Sequence, residues 1–409
     1  MSPADVSAAP DWSHRADEAA RSVTRLFGQR LFFLPGTHIA AIARPSGRLK
    51  NLVRPWHYWW QAHYLDCLVD TGRRELGTAA RPGKRFDGED RPSAGRLASR
   101  LVTGIRLRNL LTVVNNYFDD MAWLALSTLR LEQLAEQSRK TAGRRRNAKV
   151  LKSLTLQFDS ASTDDLGGGT FWSKKRDFKN TPATAPVALY YARTGQAAKA
   201  QALLDWLDSR LFEPEQGLYR DGLRITPGGE VVLESSIYSY NQGPVLGALL
   251  ELGGAANLAR AASVVAAVGQ HLTVPASTPG DGRVLRCEGT GDGGLFTGIL
   301  ARYLALAAVD RRLPAEARAK AAELVQNTAE AFWAGRRTAS ARKPLAGNGG
   351  RTIFSSLAEL PAVSSYPAGA AVELSTQLQA WMVLEAAASI PAAGALPRAA
   401  SAPELPAAN

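Results

Sequence analysis

The sequence predicts an all-α fold, an (α/α)6 toroid of six helical hairpins, and three observations carry that prediction. Helical periodicity runs through nearly the whole chain, while strand-like alternation is confined to short pieces such as Glu230-Val231-Val232-Leu233. Short breaker-rich linkers recur between the periodic segments: Thr194-Gly195, Gly253-Gly254, and Asp310 to Pro314, where Pro314-Ala315-Glu316 reads as a helix opening. The segments also alternate in character. One member of each pair is more apolar and carries Trp, Tyr, Asn or Asp near its start, and the other is rich in Arg, Lys, Glu and Ala. An inner ring and an outer ring of helices, with the inner starts converging on one mouth, account for that alternation.

Taken in order, the helices are expected at 11–27, 53–71, 92–108, 115–136, 145–160, 180–193, 196–210, 237–252, 255–271, 292–309, 314–334 and 371–387. The inner type is clearest in Trp56 to Tyr64, Asn115 to Trp123, Tyr238 to Gln242 and Asp292 to Phe296. The outer type is clearest in Pro314 to Glu330. Between 139 and 152 the chain is basic, centred on Arg144-Arg145-Arg146. No aromatic residues are interleaved there for base stacking, so the run reads as a solvated outer face and no nucleic-acid partner is expected. One domain over 11–387 follows. Residues 1–10, much of 336–350 and the Ala/Pro-rich tail 388–409 read as disordered.

With 409 residues, 45% of them hydrophobic, the chain can bury a large core. Its net charge of +12 suits an anionic partner such as an acidic glycopolymer, but charge bears on association rather than fold. Cys67 and Cys287 are the two cysteines, far apart, so free thiols are expected rather than a disulfide framework. Met1 to Val6 lacks the basic head and apolar run of a secretory signal, and no uncharged stretch reaches membrane-spanning length. A soluble, cytoplasmic monomer is therefore expected, or an extracellular protein if translation starts upstream.

The segment richest in chemistry is Asn115-Asn116-Tyr117-Phe118-Asp119-Asp120-Met121-Ala122-Trp123. It sets two adjacent carboxylates in an aromatic, apolar run that continues into a mostly buried helix. Two such groups cannot both ionise easily, so one is pushed towards holding a proton. A neutral acid beside an anion is the pairing that acetal hydrolysis requires. If Asn115 or Asn116 caps the helix, both acids fall in its first turns, where the helix dipole favours an anion. A second constellation, Gly167-Gly168-Gly169-Thr170-Phe171-Trp172 with Asp177-Phe178-Lys179-Asn180, offers a flat aromatic face and hydrogen-bonding groups, as a sugar site needs, but reads equally as a Gly turn before a core Trp. Tyr238-Ser239-Tyr240-Asn241-Gln242 and Trp56-His57-Tyr58-Trp59-Trp60 are further polar-aromatic helix starts. Gly289-Thr290-Gly291-Asp292-Gly293-Gly294 formally contains G-x-G-x-x-G, yet no strand precedes it, so a Gly-lined sugar subsite edged by Asp292 is the better reading. His57 and His63 lack i, i+4 spacing, and neither a catalytic metal nor a cofactor is expected. No G-x-S-x-G elbow and no P-loop occur.

Four of these blocks together resemble glycoside hydrolase family 76, the endo-acting α-1,6-mannanases. They are Asn116-Tyr117-Phe118-Asp119-Asp120-Met121-Ala122-Trp123, Gly168-Gly169 to Trp172 with Lys179-Asn180, Tyr240-Asn241-Gln242-Gly243, and Phe296-Thr297-Gly298-Ile299-Leu300-Ala301-Arg302-Tyr303-Leu304. The resemblance implies the same toroid and a retaining hydrolysis of α-1,6-mannosidic bonds in mannan, lipomannan-type polymers or mannooligosaccharides. It implies Asp119 as nucleophile and Asp120 as general acid/base, without a cofactor. It further implies substrate contacts from Asn116, Tyr117, Trp172, Lys179, Asn180, Tyr240, Asn241, Gln242 and Asp292. A transglycosylase on the same substrates, or a mannan-binding protein without turnover, would use the same groove.

Overall fold

The computed structural model describes residues 10–45, 56–77, 83–139, 143–277, 282–339 and 351–391. Of the segments expected to be disordered, 1–10, much of 336–350 and 388–409, residues 1–9, 340–350 and 392–409 lie outside the described residues, whereas 337–339 pairs as a strand with 351–353 and the last helix runs on to Ser389. Among the described residues twelve long helices follow one another: α1 Trp12–Phe27, α2 Tyr58–Leu76, α3 Ala94–Arg108, α4 Phe118–Gln137, α5 Arg144–Ala161, α6 Thr181–Arg193, α7 Ala197–Leu211, α8 Ser239–Leu252, α9 Gly254–His271, α10 Phe296–Val309, α11 Ala315–Ala334 and α12 Leu374–Ser389. The even-numbered helices form a closed inner ring in which each packs on the next and α12 returns to α2. The odd-numbered helices clothe it from outside, and α1 packs against α12, so the two ends of the domain lock the ring. The (α/α)6 toroid expected from periodicity is the observed fold.

Composition explains which helix takes which ring. Every residue of α12 from Leu374 to Ala387 is buried, as a helix flanked on all sides requires. By contrast α11 buries one stripe, Ala317, Ala321, Leu324, Val325, Thr328, Ala329 and Phe332, and turns its charged face outward. Gly291–Val309 is long and apolar enough to cross a membrane by length and composition, but 67% of it is buried as a wall of the ring. There Gly298 lets α10 approach α12, because a Cβ would stand 2.9 Å from the Gln379 backbone.

The inner helices begin in a shared way that periodicity does not reveal. The fourth residue of α2, Gln61, accepts from Ala40 N at 2.9 Å and donates to Ala40 O at 3.1 Å. Gln242, fourth in α8, clasps the Tyr219 amide and carbonyl at 2.9 Å each. Gln377, fourth in α12, clasps those of Phe354 at 2.8 Å each. Thr184 takes the corresponding place in α6 and accepts from Thr170 N at 3.0 Å. Each of these side chains pins the connection arriving from the preceding outer helix onto the mouth. In α4 that fourth position is Met121, and the neighbouring acids Asp119 and Asp120 are left to face the mouth.

The connections themselves form short antiparallel strands, more than the sequence suggests, because pieces of two or three residues carry no readable alternation. The largest sheet runs β1 (Phe178–Asn180), β2 (Gly222–Ile225) and β3 (Val231–Glu234), with Asn180 opposite Gly222 and Gly222 opposite Glu234. It delivers α6 and α8 to the mouth from one side.

Below the mouth the axis is filled in layers. His63 is buried against the Trp123 ring, 4.9 Å between centroids. Deeper still, Arg130 of α4 bonds both Asp66 and Asp70 of α2, while Arg302 of α10 reaches the same two carboxylates at 2.9 and 2.8 Å. Burial alone would raise these carboxyl groups, but the two guanidinium groups outweigh it and hold both below the usual carboxylate range. The network ties α2, α4 and α10 together below the mouth.

Candidate active site

The acidic pair stands on the first turn of α4. Neither Asn115 nor Asn116 caps that helix: Tyr117 is the N-cap and makes no side-chain capping bond. Instead Asn115 folds back, its Oδ1 accepting from Tyr117 N at 2.9 Å while its Nδ2 donates to Asp120 Oδ2 at 2.6 Å. The first helical amide, Phe118 N, donates to the carbonyl of Trp172 at 2.7 Å. The indole of the same Trp172 donates to Asp119 Oδ2 at 3.0 Å. One residue thus caps the helix and holds its first acid, through a contact between segments more than fifty positions apart.

Trp172 is held in turn by Phe178, whose carbonyl accepts from Trp172 N at 2.7 Å, and the Gly loop just before it packs on Trp206. Gly168 and Gly169 have φ of 129° and 77°, and a Cβ on Gly169 would lie 2.6 Å from the Trp206 ring. Only glycine accommodates both demands. The carbonyls of that loop converge on Lys179, whose fully buried ammonium donates to Thr163 O, Asp165 O and Gly168 O, each at 2.7 Å, and to Gly169 O at 3.1 Å. Lys179 therefore organises the loop and does not reach a sugar. The same correction applies to Asn180, which caps α6 by accepting from Ala183 N at 3.1 Å, and to Gln242, whose amide is saturated by backbone. All three are polar residues in the right blocks, but their partners lie inside the protein.

The other expected residues do meet at the mouth. Tyr117 is exposed and sits 4.9 Å from the Trp172 ring, a pair of aromatic faces beside the acids. Tyr240 stacks on Phe296 at 3.8 Å and 15°. Burial and the surrounding Asp221, Asp119, Tyr238 and Asp292 hold its hydroxyl well above the usual tyrosine range. Asn241 donates to Asp221 Oδ1 at 3.4 Å. Asp292 accepts from the indoles of Trp59 and Trp60 at 3.0 and 2.8 Å, which aims its exposed carboxylate over the mouth. Asn116 is exposed, and its carbonyl accepts from Lys174 N at 2.9 Å. Asp119 Oδ1 and Asn241 Oδ1 are buried and have no donor within the protein.

Asn115, Trp59 and Asp221 also line this site: the sequence offered Asn115 only as a helix cap and Trp59 only within a polar-aromatic helix start, and it did not single out Asp221. Asn115 carried a usable signal, the Asx turn implied by its place two residues before a helix cap. Asp221 carried none, since Tyr219-Arg220-Asp221-Gly222 reads as a turn. Burial raises its carboxyl to about 6, with Asn241 opposing and Glu234 adding to the shift.

The electrostatics separate the two acids. Burial raises Asp119 to about 7, opposed by the amides of the helix start and by the Trp172 indole. Asp120 is driven well above its ordinary value by burial and by the charge of Asp119, against one opposing bond from Asn115. The order follows from donors: Asp119 is the better solvated anion, and Asp120 keeps the proton. Among the described residues no cluster of His, Cys, Asp and Glu is placed to hold a metal ion, and Cys67 and Cys287 are free thiols. A concavity of about 860 Å³ opens at the opposite end of the ring between the ends of α2 and α4 and the start of α3, away from every acid of the mouth.

Residues 108–352 match the sequence profile of Glycosyl hydrolase family 76. No curated protein matches the sequence. The GH76A alpha-1,6-mannanase from Salegentibacter sp. HEL1_6 has a similar structure, with TM-score 0.72 and 27% identity over 93% of this chain and 100% of that one. So does a variant of that enzyme, inactive after replacement of two consecutive aspartates by asparagine and complexed with alpha-1,6-mannotriose, with TM-score 0.72 and 26% identity over 93% and 100% of the two chains. A family 76 glycoside hydrolase (mannosidase) from Bacteroides thetaiotaomicron VPI-5482 shares the fold, with TM-score 0.67 and 16% identity over 93% of this chain and 98% of that one.

Proposed function

The chain belongs to glycoside hydrolase family 76 and is a glycoside hydrolase, and from that premise we propose that it cleaves α-1,6-mannosidic bonds of mannan, with retention, through Asp119 and Asp120. The observation that carries this reading is the unequal hydrogen bonding of the pair. Asp119, held by the Trp172 indole and the helix-start amides, is the acid that ionises, and Asp120 the one that stays protonated. In the first step a carboxylate oxygen of Asp119 bonds to the anomeric carbon as the glycosidic C–O bond breaks, and Asp120 gives its proton to the departing oxygen. In the second step Asp120, now a carboxylate, takes a proton from water as that water bonds to the anomeric carbon and Asp119 leaves. Adjacent helical positions point about 100° apart, which lets the two carboxyl groups address one sugar ring from different directions. Tyr117, Trp172, Tyr240, Asn116, Asn241, Asp221 and Asp292 are the side chains available to the sugar around them. The mannotriose complex of the inactive double-Asn relative supports both the substrate class and the role of the pair.

Proton NMR of α-1,6-mannooligosaccharides mixed with the wild type, Asp119→Asn and Asp120→Asn tests the proposal. The earliest product should be the α-anomer from the wild type and nearly absent from either variant. An initial β-anomer would overturn the retaining mechanism, acceptor-extended products in excess of free sugar would make the protein a transglycosylase, and binding without turnover would make it a mannan-binding protein.

A further inference from the structure

Among the described residues, eleven of the fourteen large hydrophobic side chains left exposed lie in the connections that form the mouth face, and two of those connections adjoin. Phe32, Phe33 and Leu34 follow α1, and Leu110 and Leu111 follow α3. Phe33 and Leu110 are 87% and 89% exposed, about as open as folded residues become. Four of the five, Phe32, Phe33, Leu110 and Leu111, have positive φ, from 46° to 67°, a backbone region that large L-residues avoid. The two loops are joined where the Arg108 guanidinium lies 5.9 Å from the Phe32 ring. The chain therefore holds bulky apolar groups out into water in an unfavoured conformation, which packing of the core does not explain.

The surroundings of these tips are basic. Leu111 lines a groove of about 400 Å³ with Arg106, Arg145, Arg146 and Lys149. Arg100 lies within the fields of Arg30 and Arg96 on the neighbouring side. Among the described residues Arg30, Arg100, Arg106, Arg145 and Lys149 make no ion pair, unlike Arg144, whose neighbours Glu132 and Glu136 answer it. Leu and Phe tips offer a carbohydrate no hydroxyl-bonding group, and Leu no flat face, so a longer glycan subsite does not account for them. Exposed apolar side chains flanked by cations without ion pairs match the headgroup and acyl boundary of an anionic bilayer.

We propose that Phe32, Phe33, Leu34, Leu110 and Leu111, with the basic residues beside them, dock this protein on an anionic lipid surface. Leu111 lies on the connection that leads into α4 and precedes Asp119 by eight residues, so docking would bring the rim of the mouth to the surface and present the site to glycan chains rooted there. The proposal concerns adsorption and stands whether or not the α-1,6 linkage is the one cleaved.

Co-sedimentation with vesicles tests it, using equimolar phosphatidylglycerol and phosphatidylcholine against pure phosphatidylcholine. The wild type should bind the anionic vesicles about tenfold more tightly, with affinity falling as salt rises. Phe33→Ser with Leu110→Ser should lose about tenfold of that affinity while melting at an unchanged temperature, and Arg106→Glu with Arg145→Glu should abolish the preference for anionic lipid. No binding by the wild type, or equal binding to both vesicle types, would overturn the proposal. Binding that the apolar pair does not affect and that duplex DNA displaces would reassign the patch to a polyanion in solution.

Discussion

The indole nitrogen of Trp172 donates to Asp119 Oδ2 at 3.0 Å while the carbonyl of Trp172 accepts from the amide that starts the same helix at 2.7 Å. The first contact lowers the cost of charge on Asp119, and the second fixes where that charge sits. Trp172→Phe keeps the ring and removes the donor. Its acid limb in a pH profile of kcat/KM should move up, by about one pH unit, with turnover at neutral pH reduced about tenfold. An unchanged acid limb would mean that the bond does not tune Asp119.

Lys179 separates a structural role from a ligand role. Lys179→Met would leave the carbonyls of Thr163, Asp165, Gly168 and Gly169 buried without their donor, and stability should fall by about 3 kcal/mol in urea denaturation. Turnover should fall with it as Trp172 loosens. A raised KM with stability intact would instead make Lys179 a sugar contact.

Arg302→Leu would leave Asp66 and Asp70 sharing Arg130 alone. Removing one partner of a buried charge network costs about 3–5 kcal/mol, to be read from denaturant midpoints. A loss below about 1 kcal/mol would show that water reaches the network and screens it.

The pH dependence of stability should carry two opposite signatures. Asp119 has a folded pKa raised to about 7, so between its unfolded value near 4 and 7 the native state holds more protons. Its contribution is fully present below that window and is lost as pH rises through it, and Asp119→Asn should remove the loss, melting a few degrees above wild type at pH 8. His63 runs the other way. Burial and Arg302 lower its pKa to about 3, with Asp66 opposing, so stability falls as pH drops from the unfolded value near 6.5. His63→Phe should flatten that acid limb in melts followed from pH 7 to pH 4. Parallel curves for variant and wild type in either experiment would contradict the assigned protonation states.

All twelve helices could be read from the sequence, and so could their two rings, because burial on all sides and burial on one stripe leave different local patterns, as α12 and α11 show. The adjacent acids were legible for a related reason: carboxylates inside an apolar run are anomalous wherever the chain goes. Polar blocks were legible only as blocks. Lys179, Asn180 and Gln242 lie beside Trp172 and Tyr240 in sequence, yet their side chains are turned inward onto backbone groups. Trp59 came from a polar-aromatic helix start that was legible only as a block, and Asp221 entered the site from a segment with no signal of its own.

The sequence by itself determined the repeating helical frame and the adjacent acidic pair at the start of an inner helix, since both depend on spacing along a few turns. Only the tertiary structure decided which polar side chains face the mouth and which hold it together. That choice rests on hydrogen-bond partners brought near by the closing of the ring: Asp119 and Trp172 are 53 positions apart and Trp59 and Asp292 are 233 apart. A buried polar group takes whatever partner the fold brings within 3 Å, and no local pattern records that partner.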